Sequence, residues 1–315
     1  MKKKNKIIHF QKIRFLFFFA FYGFLFLFYP GRNDYFHIFA YNRLLFLENN
    51  KEYLSKKIEV PYLKNPFLFP NLSAEGIYIV ELSSFTPVYK KNEKEKFFPA
   101  SLTKIITALV VYDIYPLDQV LKIDNPLNEG QIMGLVDGEK ITVENLLYGL
   151  LIHSANDAAY ALASNYGFKK FIALMNDKAK KLSMNNTRFT NPAGFDNNSH
   201  FSSPYDMALA ARALITNSYL KKIVSIKEIT ISDIDFKYFH HLINVNQLLG
   251  EISGLGGIKT GYTEEARENL VSFYKNDHHQ WIIVIIKSNN RFLETREVIN
   301  WLNYNVAFLK TERLF

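Results

Sequence analysis

Phe98-Pro99-Ala100-Ser101-Leu102-Thr103-Lys104-Ile105-Ile106-Thr107-Ala108-Leu109-Val110 is the stretch at which the chain changes period. Behind Pro99, the apolar residues Ile105, Ile106, Leu109, Val110 and Ile114 recur at helical spacing, and Ser101 stands at the start of that helix. Upstream, Gly76-Ile77-Tyr78-Ile79-Val80-Glu81-Leu82 has strand character, Pro87-Val88-Tyr89 is placed as its hairpin partner, and the charged run from Lys90 to Lys96 reads as a solvated turn. Downstream, a second helix is expected from Thr142, a suitable N-cap, with Glu144 adding negative charge to the first turn. Further helices are expected over 157–165, 169–182 and 204–216. Strands return at 257–263, 269–274 and 281–287, and a last helix begins at Arg291. Strands at both ends with helices between them predict an α+β domain: a mainly antiparallel sheet flanked by helices, with a helical subdomain inserted.

The 315 residues are 48% hydrophobic and 22% charged, ordinary for a chain that buries a sizeable core. Of the net charge of +8, Lys2, Lys3, Lys4, Lys6, Lys12 and Arg14 carry six, so the remainder is close to neutral and does not suggest a nucleic-acid binder. Directly behind that basic head, Phe15 to Tyr29 is an unbroken apolar run. It reads as an export signal, shorter than the roughly 20 residues of a full span. No small-x-small cleavage site follows at Tyr29-Pro30-Gly31-Arg32, which favours an uncleaved anchor with the basic residues in the cytoplasm. The expected layout is a cytoplasmic basic segment 1–14, a signal-anchor helix 15–30, a juxtamembrane spacer 31–71, a catalytic domain 72–310 on the extracytoplasmic face, and a tail 311–315. With no cysteines, disulfides and thiolate metal sites are excluded.

Ser101 and Lys104, three apart at a helix start, share one face. That is a nucleophile and base arrangement: a serine hydroxyl needs a neighbour to take its proton, and a lysine does so when burial or a nearby cation lowers its pKa. Alone the pair is a weak signal, since Ser272 and Lys275 have the same spacing; on a strand, however, those two face opposite ways. Ser154-Ala155-Asn156 lies at the end of an apolar helix, where polar side chains can enter a cleft, but Ser183-Met184-Asn185 and Ser288-Asn289-Asn290 match equally well. A helix cap or turn is the commoner role for such a triplet. Lys259-Thr260-Gly261 occurs once, on an expected strand behind Gly256 and Gly257, where a Lys and a Thr can face a carboxylate.

The three patterns, in the order Ser-x-x-Lys, Ser-x-Asn, Lys-Thr-Gly and about 50 and then about 100 residues apart, resemble the penicillin-recognising serine enzymes, and among them the low-molecular-mass D-alanyl-D-alanine carboxypeptidases. The likeness runs over roughly residues 72–303. It includes the segments around Phe98 to Lys104 and Leu146 to Ala159, and the landmarks Thr190-Asn191-Pro192-Ala193-Gly194 and Ser203-Pro204-Tyr205-Asp206. The resemblance implies a β-lactamase/transpeptidase-like fold, no cofactor and no metal, and peptidoglycan stem peptides and β-lactam inhibitors as ligands. By the same resemblance, Ser101 attacks the penultimate D-Ala carbonyl, Lys104 accepts its proton, and Ser154 relays a proton to the leaving amine. Asn156 holds the substrate amide, Lys259 and Thr260 bind the terminal carboxylate, Gly261 lies on the same substrate-binding edge, and the N–H groups of Ser101 and Tyr262 form the oxyanion hole. The family also places an arginine at the carboxylate, a role for Arg291, with Arg296 as competitor.

Ala266-Arg267 departs from the family, many members of which carry glycine at the second position. Relatives often continue into a β-rich domain and a C-terminal amphipathic helix, whose attachment the N-terminal anchor is expected to replace. A class A β-lactamase needs a Glu-x-x-Leu-Asn segment between the second and third motifs, and none is present. A D,D-endopeptidase or transpeptidase would use the same acyl-enzyme and stays open, as does a non-catalytic peptidoglycan-binding scaffold, although all seven motif residues are intact. No His-Glu-x-x-His helix supports a metallopeptidase, and His240-His241 and His278-His279 read as surface pairs.

Overall fold

A computed structural model describes residues 59–276 and 279–309, together with Phe21. The chain divides into two units, Met1–Lys57 and Ile58–Phe315, and every element named below belongs to the second. The expected basic segment, the tail and, Phe21 apart, the apolar run lie outside the described residues. Among the described residues no helix is long and apolar enough to cross a membrane.

The second unit is α+β. Its five-stranded sheet has the order β3 (Pro87–Lys91), β2 (Gly76–Glu81), β10 (His279–Ser288), β9 (Arg267–Asn276), β8 (Leu255–Thr263), antiparallel throughout. The sheet is thus joined from the two ends of the domain at the β2–β10 pair, where Val284 faces Tyr78 and Ile79 faces Ile283. Strand alternation sorts the side chains to two cores. Ile282, Val284, Tyr78, Val80, Val271 and Phe273 join the helical side, and Trp281, Ile283, Ile285, Ile77 and Ile79 pack with Val298, Ile299 and Leu302. Both faces are covered, so these strands read as continuous apolar runs rather than as alternating ones.

The helical subdomain holds α1 (Lys104–Ile114), α2 (Val143–Leu151), α3 (Asn156–Tyr166) and α4 (Phe168–Lys181), followed by α5 (Pro204–Thr216) and α6 (Ser218–Val224); α7 (Arg291–Asn305) covers the opposite sheet face. Thr142 caps α2 as expected, its hydroxyl accepting from Asn145 N at 3.2 Å. Short pairs complete the unit: β4 (Val120–Lys122) with β5 (Lys140–Thr142), β6 (Glu228–Ser232) with β7 (Phe239–Ile243), and β1 (Val60–Leu63) with β11 (Val306–Leu309). β1 lies within the stretch read from sequence as spacer. It is held by the distant β11, and the turn after it is tied to α7 by reciprocal bonds of Asn65 with Asn305.

Candidate active site

Ser101 sits in a single 3₁₀ turn, Ala100–Thr103, rather than in the α-helix itself, which begins at Lys104. Ala100 takes up φ +48°, a conformation an L-residue keeps only when its surroundings impose it. They do so from two sides. Gly194 at φ +97° lies so close that a Cβ there would fall 1.8 Å from Ala100 O, and a Cβ on Gly261 would fall 3.1 Å from Ser101 N. Asn269, fully buried on β9, adds a third hold by donating to Phe98 O at 3.0 Å. The nucleophile turn is therefore wedged between the 191–195 loop and the sheet.

Lys104 is fully buried, and its Nζ lies 2.9 Å from Ser101 Oγ, 2.7 Å from Asn156 Oδ1 and 2.9 Å from Ala193 O. Burial pushes the ammonium down to about 7 against the opposing charge of Asp157. A neutral amine has two N–H bonds and one lone pair. With two of the neighbours carbonyl oxygens that can only accept, the lone pair is left to the Ser101 hydroxyl. The geometry thus orients a base as well as placing one.

Ser154 is buried in the turn between α2 and α3 at φ +63°, and Asn156 opens α3. The Asn156 Nδ2 donates to Glu129 O at 3.0 Å while its backbone N–H donates to Gln131 O at 2.7 Å. Asp157 holds the same loop, accepting from the N–H groups of Met133, Gly134 and Leu135 at 3.0, 2.9 and 3.0 Å.

On β8, Lys259 is 1% exposed and Thr260 4% exposed, while the Tyr262 side chain is open to solvent. Burial holds the Lys259 ammonium well below its ordinary range, and the like charges of Lys104 and Arg291 push it the same way. Arg291 Nη1 donates to Gly261 O at 2.7 Å, and its backbone N–H to Glu268 at 2.8 Å. Arg296 instead pairs with Glu251 at 2.9 Å on the surface. Ser101, Lys104, Asn156, Lys259, Gly261 and Arg291 are thus linked through contacts or mutual charge. The competing patterns have other places: Ser272 is buried and Lys275 exposed on opposite faces of β9, and Asn290 caps α7.

Several supporting residues lie outside the three catalytic patterns. Asn191 Oδ1 gathers the N–H groups of Ala193, Gly194 and Phe195 at 3.2, 2.7 and 3.0 Å, shaping the loop that presents Ala193 O to Lys104. His200 accepts from Thr190 N at 3.0 Å on Nδ1, so its proton is on Nε2, 2.8 Å from Thr103 Oγ1; burial pushes its pKa down to about 4. His240 corrects an expectation. It is buried, with Nε2 2.8 Å from Glu139, whereas its neighbour His241 is exposed. Alternation along β7, with Phe239 and His241 outward and His240 and Leu242 inward, was the signal for it.

The model of the D-alanyl-D-alanine carboxypeptidase family, peptidase family S11, matches residues 64–290. The D-alanyl-D-alanine carboxypeptidase DacF of Bacillus subtilis is 31% identical over 251 residues, 77% of this chain and 64% of that protein. DacC of Escherichia coli is 32% identical over 252 residues, covering 74% of this chain and 62% of that protein. The match thus spans less than two thirds of either relative. The D-alanyl-D-alanine carboxypeptidase of Streptomyces sp. strain K15 is 32% identical over 258 residues, 76% of this chain and 89% of that protein. The crystal structure of the Streptomyces K15 DD-transpeptidase superposes with a TM-score of 0.70 at 30% identity, covering 74% of this chain and 98% of that one.

Proposed function

The chain belongs to the D-alanyl-D-alanine carboxypeptidase family of serine peptidases, and we propose that it removes the terminal D-Ala from peptidoglycan stem pentapeptides through an ester on Ser101. The observation that carries this is the buried Lys104 amine, 2.9 Å from Ser101 Oγ and with two carbonyl oxygens fixing its remaining valences. Lys104 takes the hydroxyl proton as Ser101 Oγ attacks the penultimate D-Ala carbonyl, and the oxyanion is met by the N–H groups of Ser101 and Tyr262. The C–N bond breaks as Ser154 gives its proton to the leaving amine and takes in its place the proton that Lys104 had accepted, which leaves Lys104 neutral again. Water, deprotonated by Lys104, then attacks the ester, and the proton returns to Ser101 Oγ. Asn156 turns from Glu129 O to the substrate amide, and Lys259, Thr260 and Arg291 hold the terminal carboxylate. β-Lactams acylate the same serine. The 1–30 head carries the domain 72–310 to the extracytoplasmic face and anchors it there.

Transfer to an amine acceptor is the second reading, favoured by the likeness to the Streptomyces K15 DD-transpeptidase, which this chain matches over 98% of its length. Intact-mass analysis with a fluorescent penicillin, and D-Ala release from a pentapeptide ending in D-Ala-D-Ala, test the proposal. One adduct on the wild type, none on Ser101→Ala, and D-Ala release that survives a chelator are expected. A folded wild type with no adduct would promote the scaffold reading, and cleavage of cross-linked dimers alone would promote the endopeptidase one.

A further inference from the structure

The loop of residues 129–135 is fastened from two sides. Towards the cleft, Glu129 O and Gln131 O accept from Asn156, and three successive N–H groups converge on Asp157. Towards the β6–β7 hairpin, His240 Nδ1 lies 3.1 Å from Met133 O and His240 Nε2 lies 2.8 Å from Glu139 Oε1. A weaker tie joins Gln131 Nε2 to His153 at 2.8 Å, and His153 to Ile243 O at 3.3 Å. His240 is 6% exposed and Glu139 2% exposed, so water does not replace a missing partner easily.

Both groups facing the His240 ring are acceptors only, one a carbonyl and the other a carboxylate. A neutral imidazole has a single N–H and can serve one of them; an imidazolium serves both. Leaving either acceptor unpaired in the interior is unfavourable, so the geometry selects the charged ring. We propose that His240, held as an imidazolium by Glu139, is a positioning residue that fastens Met133 and keeps the 129–135 loop closed on Asn156 and Asp157, so that loss of its proton opens the loop and slows acylation of Ser101. The effect on acylation rests on the ester mechanism proposed above; the fastening of the loop does not.

The charges acting on the ring are Glu139, on the segment entering β5, and Asp157, at the start of α3; on β7 itself, His241 faces away, 4.0 Å from Glu228. Burial alone would drive the proton off. Glu139, helped by the Met133 carbonyl and Asp157, outweighs it, and the ring stays protonated above its ordinary 6.5. With the folded value raised, the clamp is fully present below the ordinary value and is lost as pH climbs through the raised one.

Hydrogen exchange on the full chain, corrected for intrinsic rates, tests the clamp without any variant. Protection of the Met133, Gly134 and Leu135 amides is expected to fall by about tenfold as pH is raised from the ordinary histidine value of about 6.5 to the alkaline limit of the fold. Flat protection over that range would overturn the proposal. Glu139→Gln should move the loss of protection to lower pH, and should lower penicillin acylation about tenfold at a pH where the wild-type loop is still protected, with its alkaline limb displaced the same way. A variant that is merely less stable, with a pH profile superimposable on the wild type, would also overturn it. Should the wild type take no penicillin, the ester mechanism fails, and the exchange data still decide whether His240 fastens the loop.

Discussion

Replacing Lys104 by methionine should abolish acylation and make the stability difference between variant and wild type vary with pH, and that variation measures how far burial has lowered the amine. The ordinary lysine value is 10.5 and the folded one about 7. Between them the unfolded chain binds a proton that the native protein does not, so this lysine makes the wild type gain stability as pH rises. Keeping it buried costs about 4–5 kcal/mol at about pH 6.5 and about 1–2 kcal/mol at about pH 9.5. Methionine has similar reach and no charge. It leaves Asn156 Oδ1 and Ala193 O without their donor, a penalty of about 1–3 kcal/mol each that does not titrate. The difference between variant and wild type should therefore shift by about 3 kcal/mol between the two pH values, the variant being favoured at the lower. Lys259, whose ammonium is lowered in part by Lys104, is relieved in the same direction, so that figure is a floor. Urea unfolding of both proteins at each pH supplies the numbers. A stability difference constant to within about 0.5 kcal/mol across the range would mean that Lys104 titrates near its ordinary value, and would remove the case for it as the base.

Two further substitutions separate the roles of neighbouring residues. Arg291→Gln should lower acylation by peptides ending in a free carboxylate by about 10- to 100-fold, because it loses a charge-assisted contact in a partly buried site; Arg296→Gln, which breaks only an exposed pair with Glu251, should change the rate less than about twofold. Equal effects of the two would undo the assignment of Arg291. Gly194→Ala demands a Cβ where Ala100 O already sits, in a backbone conformation that disfavours any side chain. Penicillin labelling should fall by at least about 100-fold as the nucleophile turn is displaced, and unchanged labelling would show that the turn is not wedged by that loop.

The elements legible in the sequence were those whose pattern is local. α5 was expected over 204–216 and is found at Pro204–Thr216, and β8, β9 and β10 were announced by apolar runs, each extending a few residues beyond its expected limits. The pairs β1–β11, β4–β5 and β6–β7 escaped because each strand is only three to five residues long. The β1 region lies in the stretch rich in Tyr, Phe, Asn and Lys that reads as a spacer, and what orders Val60 is a partner at Leu309. The site shows the same division. Ser101, Lys104, Ser154, Asn156, Lys259, Thr260 and Gly261 could be picked out by type and spacing. Asn191 stands in the Thr190–Gly194 landmark with no role attached, and His200 and the Glu139–His240 pair stand in no pattern, since their work is side-chain contact with distant backbone or with one another, and no spacing records it.

Three basic groups share the cleft, and the way their charge is balanced bears on which substrates it accepts. Lys104 feels Asp157 and Arg291 feels Glu268, but the charges acting on Lys259 are Lys104 and Arg291, both of its own sign. An incoming carboxylate supplies the missing counter-charge: it raises the proton affinity of Lys259, so binding takes up protons wherever that lysine is neutral in the free protein. Such a site should select acyl donors by the anion one residue beyond the bond to be broken. A pentapeptide ending in D-Ala-D-Ala and a penicillin both carry it, and so does a cross-linked strand with a free carboxylate at that position, so the charge on Lys259 would not tell the three apart as acyl donors. Amidating the terminal carboxylate keeps the shape and removes the charge, leaving Lys259 buried with the Thr260 carbonyl at 3.1 Å but no counter-charge. Acylation by the amide should then fall about 100-fold, in line with the loss expected when one member of a buried charge pair is removed. The loss should shrink in Lys259→Met, where no cation waits for the anion. If the amide and the acid acylated wild-type Ser101 at equal rates, the charge on Lys259 would have no part in recognising the substrate.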